Sequence, residues 1–384
     1  MTSQGRAARE ERLAAPHSPD ETKIAKSEAM SNKAAGDRAS RARLTIASLV
    51  AALCVAAIFS LTAGASDASM LSVLHSLTSG TEEGAEVFRR DHLIIMEIRL
   101  PRVVMGMLIG AGLAVSGAVM QGLFRNPLAD PALVGVSTGA GLGAVSMIVL
   151  GGSTLLAPVI AFLGVYALPL AAFSGGLATT SLLYRIATRR GRTSVATMLL
   201  AGIALAALAG AATGGLIYIA DDRQLRDLTF WGLGSLAGST WTKFAAAGPV
   251  IAIVLVVSPL LARGLNALAL GEAAAGHLGI QVQYIKNVAI VAVAAATGAT
   301  VAVAGGIGFI GIVVPHMLRL SIGPDHRYLL PAAALLGGTL LLLADAVSRT
   351  IVAPAELPIG IITALFGAPF FLWILLRQRG LLDL

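Results

Sequence analysis

The 384-residue chain is 56% hydrophobic and 13% charged, with a mean hydropathy of +0.81, a balance that excludes an ordinary soluble globular domain. Its net charge of +7 does not make it a nucleic-acid binder, because the Lys and Arg residues fall mostly between apolar runs, where they serve as topology signals. The single cysteine, Cys54, lies inside an apolar run and excludes an internal disulfide or a cysteine metal cluster.

In chain order, residues 1–43 come first, with nine Lys or Arg against six Asp or Glu and no apolar core for a signal peptide. They read as a disordered cytoplasmic tail, within which Met30 offers an alternative start. The first span-length run, 44–63, lacks a suitable Ala-x-Ala cleavage pattern and reads as a retained helix. Further apolar segments follow at 102–123, 133–151, 157–184, 195–220, 244–262, 287–306, 307–321, 329–352 and 358–377, judged against the roughly 20 residues a helix needs to cross a bilayer. The eighth is short and contains Pro315, which predicts a broken or half-length helix.

Ten spans put both termini on one side. The connection holding Arg185, Arg189, Arg190 and Arg192 is then cytoplasmic, whereas the first outer connection, 64–98, carries Asp67, Glu82, Glu83, Glu86, Asp91 and Glu97 against only Arg89 and Arg90. The second span opens on Arg99-Leu-Pro-Arg102 and closes on Phe124-Arg-Asn-Pro-Leu-Ala-Asp-Pro131. Its prolines delimit a core helix, and Asn126 and Asp130 are placed to cap the backbone groups freed at the inner turn.

Small residues recur at four-residue spacing, which aligns them on one helix face. Gly106, Gly110, Ala114 and Ala118 do so in the second span, Gly202, Ala206, Gly210 and Gly214 in the fifth, and Gly360, Ala364 and Ala368 in the tenth. Close helix packing explains any one such ridge; a smooth wall for a large solute is the functional alternative for the fifth and tenth.

Chemistry-bearing groups are few. The chain has no phosphate-binding Gly-x-x-x-x-Gly-Lys-Ser/Thr loop, no Gly-x-Ser-x-Gly, no His-Glu-x-x-His and no paired carboxylates in the apolar runs, so no catalytic residue is assigned. Asp345 and Arg349, four apart in the ninth span, share a face and neutralise each other. His316, beside Pro315, and Met105, Met107, Met120 and Met317 read as structural groups rather than metal ligands. In the connection 263–286, Leu270-Gly-Glu-Ala-Ala-Ala-Gly-His-Leu-Gly279 predicts a short helix, with Glu272 at its positive end, alanines within and Gly279 as its stop.

Taken together, these stretches resemble the FecCD or B12-permease family, the membrane subunits of ABC importers for iron chelates, haem and vitamin B12. The resemblance rests on Arg99-Leu-Pro-Arg102, Gly110 to Gly117 with Gln121, Asn126 to Pro131, Gly271-Glu272 through Leu278-Gly279, Gly305 to His316 with Arg319, and Leu357 to Pro369, in family order over residues 44–384. It implies an all-α, ten-helix permease domain at 44–384 of the type II importer class, working as a homodimer in the bacterial inner membrane with both termini cytoplasmic. The implied translocation path is flanked by the fifth and tenth spans, through Gly202, Ala206, Gly210, Gly214, Gly360, Ala364 and Ala368.

The resemblance also implies that Gly271, Glu272, Ala273, Ala274, Ala275, Gly276, His277, Leu278 and Gly279 form the coupling segment. Two separate ATP-binding subunits, which hold the ATP and Mg, would dock on it, and this chain itself would carry no cofactor and no metal. A periplasmic solute-binding protein would deliver the cargo. Local phrases, among them Asp222 to Trp231 and Gly323-Pro-Asp-His-Arg327, are most similar to the haem branch, with ferric siderophore and cobalamin as alternatives. Arg223 and Arg226 are then candidates for outer-face contact with haem propionates or acidic residues of the delivering protein, with ordinary juxtamembrane anchoring as an equal alternative. A different class, an ion-driven secondary carrier, would need a proton relay for which Asp345 is the one candidate.

Overall fold

The computed structural model describes residues 19–63, 85–131, 135–189 and 192–382. The chain divides into two units, Met1–Thr45 and Ile46–Leu384, and everything below concerns the second unless stated. Helix α1 covers Pro19–Thr62, so the segment expected to be a disordered tail is helical from residue 19. Its Ala, Lys and Glu residues are good helix formers, a preference that the polarity of the segment concealed. Residues 1–18, most of the acidic outer connection (64–84) and Arg190 lie outside the described residues.

After α1 come α2 (Ala85–Leu93), a π-helical turn (Ile94–Arg99) and α3 (Leu100–Phe124), then α4 (Val136–Leu150), α5 (Ala157–Leu163) and α6 (Ala167–Ala187). A two-stranded antiparallel hairpin, β1 (Thr188–Arg189) and β2 (Arg192–Thr193), pairs Thr188 with Thr193. The remaining helices are α7 (Val195–Ile219), α8 (Asp222–Gly232), α9 (Trp241–Val257), α10 (Ala262–Ala269), α11 (Glu272–His277), α12 (Val282–Ala304), α13 (Ile310–Ile322), α14 (His326–Thr350) and α15 (Ile359–Leu382). Among the described residues seven helical stretches are long and apolar enough to cross a membrane, and three shorter apolar stretches, α4, α13 and the Ile359–Ile374 part of α15, accompany them. These ten match the ten expected segments in order.

α3 is the centre. Pro101 falls where the π-helical turn passes into α3, within helical backbone that runs on from Arg89 to Phe124, so it does not open the helix as the sequence suggests, and almost every residue onward to Phe124 is buried. Its small-residue ridge is used for contact: a Cβ on Gly110 would run into the backbone of Gly337 on α14, and one on Gly117 into Gly311 on α13. Helices approach this closely in lipid because small residues allow it and dispersion rewards it. α3 ends at Arg125, which adopts a left-handed conformation with φ 52; Asn126 N–H then donates to Gln121 O at 3.2 Å, and the Asn126 side chain accepts from Leu128 N–H at 2.9 Å.

α13 has only 13 residues, as the proline in that segment predicts. The backbone that precedes it is irregular, yet polar groups on it are used: Gly305 N–H donates to Val301 O at 2.9 Å, and Phe309 O accepts from Ile312 and Val313 N–H at 3.0 and 2.8 Å, while the irregular 233–235 segment beside it bonds to Ala304 O through Ser235 N–H and to Ile359 and Gly360 N–H through Gly234 O and Leu233 O. Irregular chain inside a bundle is tolerated only when such bonds are made. α8 was not foreseen as a helix. It starts on a reciprocal capping box between Asp221 and Gln224, and Leu228 fixes it against Val145 and Val149 of α4.

Candidate functional site

Two places gather polar groups, one at each end of the bundle. The first is α11. Gly271, with φ 107, precedes it in a conformation that side chains disfavour. At its far end Ile280 N–H donates to Ala275 O at 3.1 Å and Gly279 N–H to Gly276 O at 3.0 Å, with Gly279 at φ 78, the paired bonds of a Schellman stop. The predicted short helix is therefore present. Ala275 is fully buried and anchors it, while Glu272, Ala273, Gly276, His277, Leu278 and Gly279 are exposed, with Ala274 and Gly271 between. The result is a short, rigid knob whose flanking Leu270 and Leu278 face outward.

The knob is fastened. Lys286 Nζ, buried on α12, donates to Glu272 Oε1 at 2.8 Å and to Thr193 O on the hairpin at 3.0 Å. Gln283 Nε2 donates to Thr193 Oγ1 and to Asn287 Oδ1, each at 2.7 Å, and Tyr184 O–H on α6 donates to the same Asn287 oxygen at 2.7 Å. A displacement of α11 thus pulls on α12, the hairpin and α6 together. None of these partners except Glu272 stands out in the sequence, where Lys286 is simply the last residue of the 263–286 connection.

The second place lies at the opposite ends of α1, α3 and α14. Arg102 Nε and Nη2 donate to Asp345 Oδ1 at 3.0 and 2.9 Å, and its Nη1 and Nη2 donate to Glu356 Oε1 and Oε2, each at 2.9 Å. Arg349 Nε pairs with Asp345 Oδ2 at 3.0 Å, so the expected four-residue pair is one edge of a larger cluster. Arg349 also donates to Ser60 O and Ala63 O, and Arg99 Nη1 to Leu61 O and Thr62 O. Two guanidiniums therefore satisfy the carbonyls that the last turn of α1 leaves open. Asp345 is 1% exposed, which suits a structural clamp better than a proton relay.

The expected path residues separate into two groups. On α7, Gly210 and Gly214 are exposed, with open space where a Cβ would sit, Ala206 is half-buried and Gly202 buried. On α15, Gly360 is a packing position, since a Cβ there would strike the Leu233 carbonyl; Ala364 and Ala368 are half-buried. Within the single chain α7 and α15 do not pack extensively on each other. Arg223 and Arg226, one turn apart on α8, are both exposed. His316 is buried on α13, and the neighbouring Arg319 donates to the side-chain oxygen of Gln121 on α3.

The FecCD transport family model matches residues 52–377. The chain is 47% identical over 286 residues to the hemin transport system permease of Yersinia pestis, covering 74% of this chain and 84% of the relative. It is 46% identical over 303 residues to the cobalamin import permease of Halobacterium salinarum, covering 79% and 77%. With the vitamin B12 import permease of Escherichia coli O9:H4 it shares 43% over 313 residues, covering 81% and 93%. A solved inward-facing metal-chelate type ABC transporter superposes with a TM-score of 0.74 at 31% identity, over 86% of this chain and 98% of that one.

Proposed function

The chain belongs to the FecCD transport family and is a multi-pass membrane permease of an ABC importer; from this we propose that its cargo is haem, carried across the bacterial inner membrane. In this reading two copies enclose a path lined by the small residues of α7 and α15, and two ATP-binding subunits seat one α11 each. A periplasmic binding protein meets the opposite face at Arg223 and Arg226. When the ATPases close on ATP, each α11 moves with its subunit as a lever, and the Glu272–Lys286 bond passes that motion to α12 and the hairpin, which rocks the two bundles between outward-open and inward-open states.

The observation that carries the mechanism is α11 itself, an exposed six-residue helix stopped at both ends by glycines and fastened to the bundle by a buried lysine. The similarity to a hemin permease supports the cargo. Cobalamin is the second reading, because the relatives named for it match longer stretches at nearly the same identity.

The test is reconstitution of the chain in liposomes with its ATP-binding subunit and its binding protein, presented in parallel with haem, a ferric siderophore and cobalamin. ATP-dependent uptake of haem above the other two is expected. Uptake favouring cobalamin or a siderophore overturns the cargo. Uptake that needs no ATPase, and that Asp345→Asn abolishes, overturns the mechanism in favour of an ion-driven carrier.

A further inference from the structure

A groove of ≈ 520 Å³ runs between α6 and α12. Its walls are mainly apolar, formed by Phe173 and Leu177 on one side, where Thr180 and Ser181 add small hydroxyls, and by Ile290 and Val291 on the other, while one end holds Tyr184, Arg185 and Asn287. That end is the one nearest the hairpin, where Arg189 is also exposed. Leu177 and Val291 are 52% and 65% exposed, so the groove opens outward from the bundle along its length. Arg185 is exposed and has no ion-pair partner among the described residues.

An apolar trough that ends in a guanidinium matches one molecule in two parts. The trough suits an acyl chain, and the guanidinium, with the Tyr184 and Asn287 polar groups beside it, suits a phosphate at the depth where the membrane becomes polar. Basic pockets between membrane helices hold anionic headgroups in this way. A second protein chain would have to bring an acidic group into a narrow trough, whereas an anionic phospholipid carries charge and chain in the required order. We propose that the groove between α6 and α12 is a binding site for an anionic phospholipid, with its phosphate on Arg185 and one acyl chain between Leu177 and Val291.

The site touches the lever. Asn287 accepts from Tyr184 at the groove's mouth and from Gln283, which bonds Thr193, whose carbonyl accepts from Lys286, the partner of Glu272. Occupancy therefore stiffens the same bonds that hold α11. This last consequence rests on the role of α11 proposed above; the lipid site does not.

Native mass spectrometry of the full chain, released from micelles containing equal phosphatidylglycerol and phosphatidylcholine, reads the site directly. Phosphatidylglycerol adducts are expected to exceed phosphatidylcholine adducts by about fivefold, the worth of one basic side chain near a headgroup. Arg185→Gln removes the preference, Val291→Trp removes both adducts by filling the trough, and Arg223→Gln on α8 changes neither. Equal retention of the two lipids in the unaltered chain, or a preference that survives Arg185→Gln or Val291→Trp, overturns the site. Ser181→Phe fills the trough from α6 and replaces Val291→Trp should that variant fail to give a monodisperse protein.

Discussion

Asp345→Asn isolates the electrostatic part of the clamp, because it keeps the shape of the side chain and removes its charge. In the unaltered protein the carboxylate pairs with Arg102 Nη2 at 2.9 Å and Arg349 Nε at 3.0 Å and is 1% exposed. Removing one partner of a buried pair costs about 3–5 kcal/mol, most of it the penalty for the charge left behind. Here both arginines keep other acceptors, Glu356 for Arg102 and the Ser60 and Ala63 carbonyls for Arg349, so the expected loss lies near the lower bound, about 3 kcal/mol. Glu356 differs in exposure, since its side chain is 37% exposed and water screens the pair. Glu356→Gln should therefore cost about 1 kcal/mol or less. Equilibrium unfolding in mixed micelles, followed by tryptophan fluorescence at low and high salt, measures both. Salt should leave the Asp345→Asn loss nearly unchanged, because buried pairs are poorly screened. A loss within about 0.5 kcal/mol of zero, the range of ordinary surface changes, or one no larger than that of Glu356→Gln, refutes the reasoning.

Three further outcomes follow from the geometry. Lys286→Met strips α11 of its fastening and should lower ATP-dependent uptake by more than tenfold while the partner ATPase still turns over, with a stability loss of about 1–3 kcal/mol from the unpaired Thr193 carbonyl; parallel uptake and ATPase assays check it. Gly110→Val drives a side chain into Gly337 and should cost about 3 kcal/mol, the upper end of overpacking penalties, whereas Gly214→Val meets open space and should leave unfolding unchanged while lowering uptake. Arg223→Glu with Arg226→Glu should weaken binding of the delivering protein, read by surface plasmon resonance, without altering the unfolding midpoint.

Periodicity and length made the ten apolar segments legible, because a bilayer imposes them on sequence more strictly than water does. Pro315 announced the half-length α13, and the order glutamate, alanines, glycine announced α11, since each residue acts there through a local effect. The clamp was only half visible. Asp345 and Arg349 are four residues apart and declare themselves, but Arg102 lies 243 residues before Asp345, and no local rule joins them. The α7 and α15 ridges show the opposite limit: identical spacing puts Gly214 in the open and Gly360 against a carbonyl, and only the neighbouring chain decides which. The helix over 222–232 was hidden because its polar exterior and short length resemble a loop, although Asp221 and Gln224 carried the capping signature.

The clasp on the last carbonyls of α1 bears on the order in which the protein is built. α1 and α3 leave the ribosome early, and Asp345 emerges only when the ninth span is made, so for most of synthesis Arg102 waits in the membrane without its buried counter-ion. Such a residue is costly in lipid and keeps the helix bearing it near the water boundary. Completion of α14 supplies the carboxylate for Arg102 and the guanidinium that holds α1, closing first and late segments in one event.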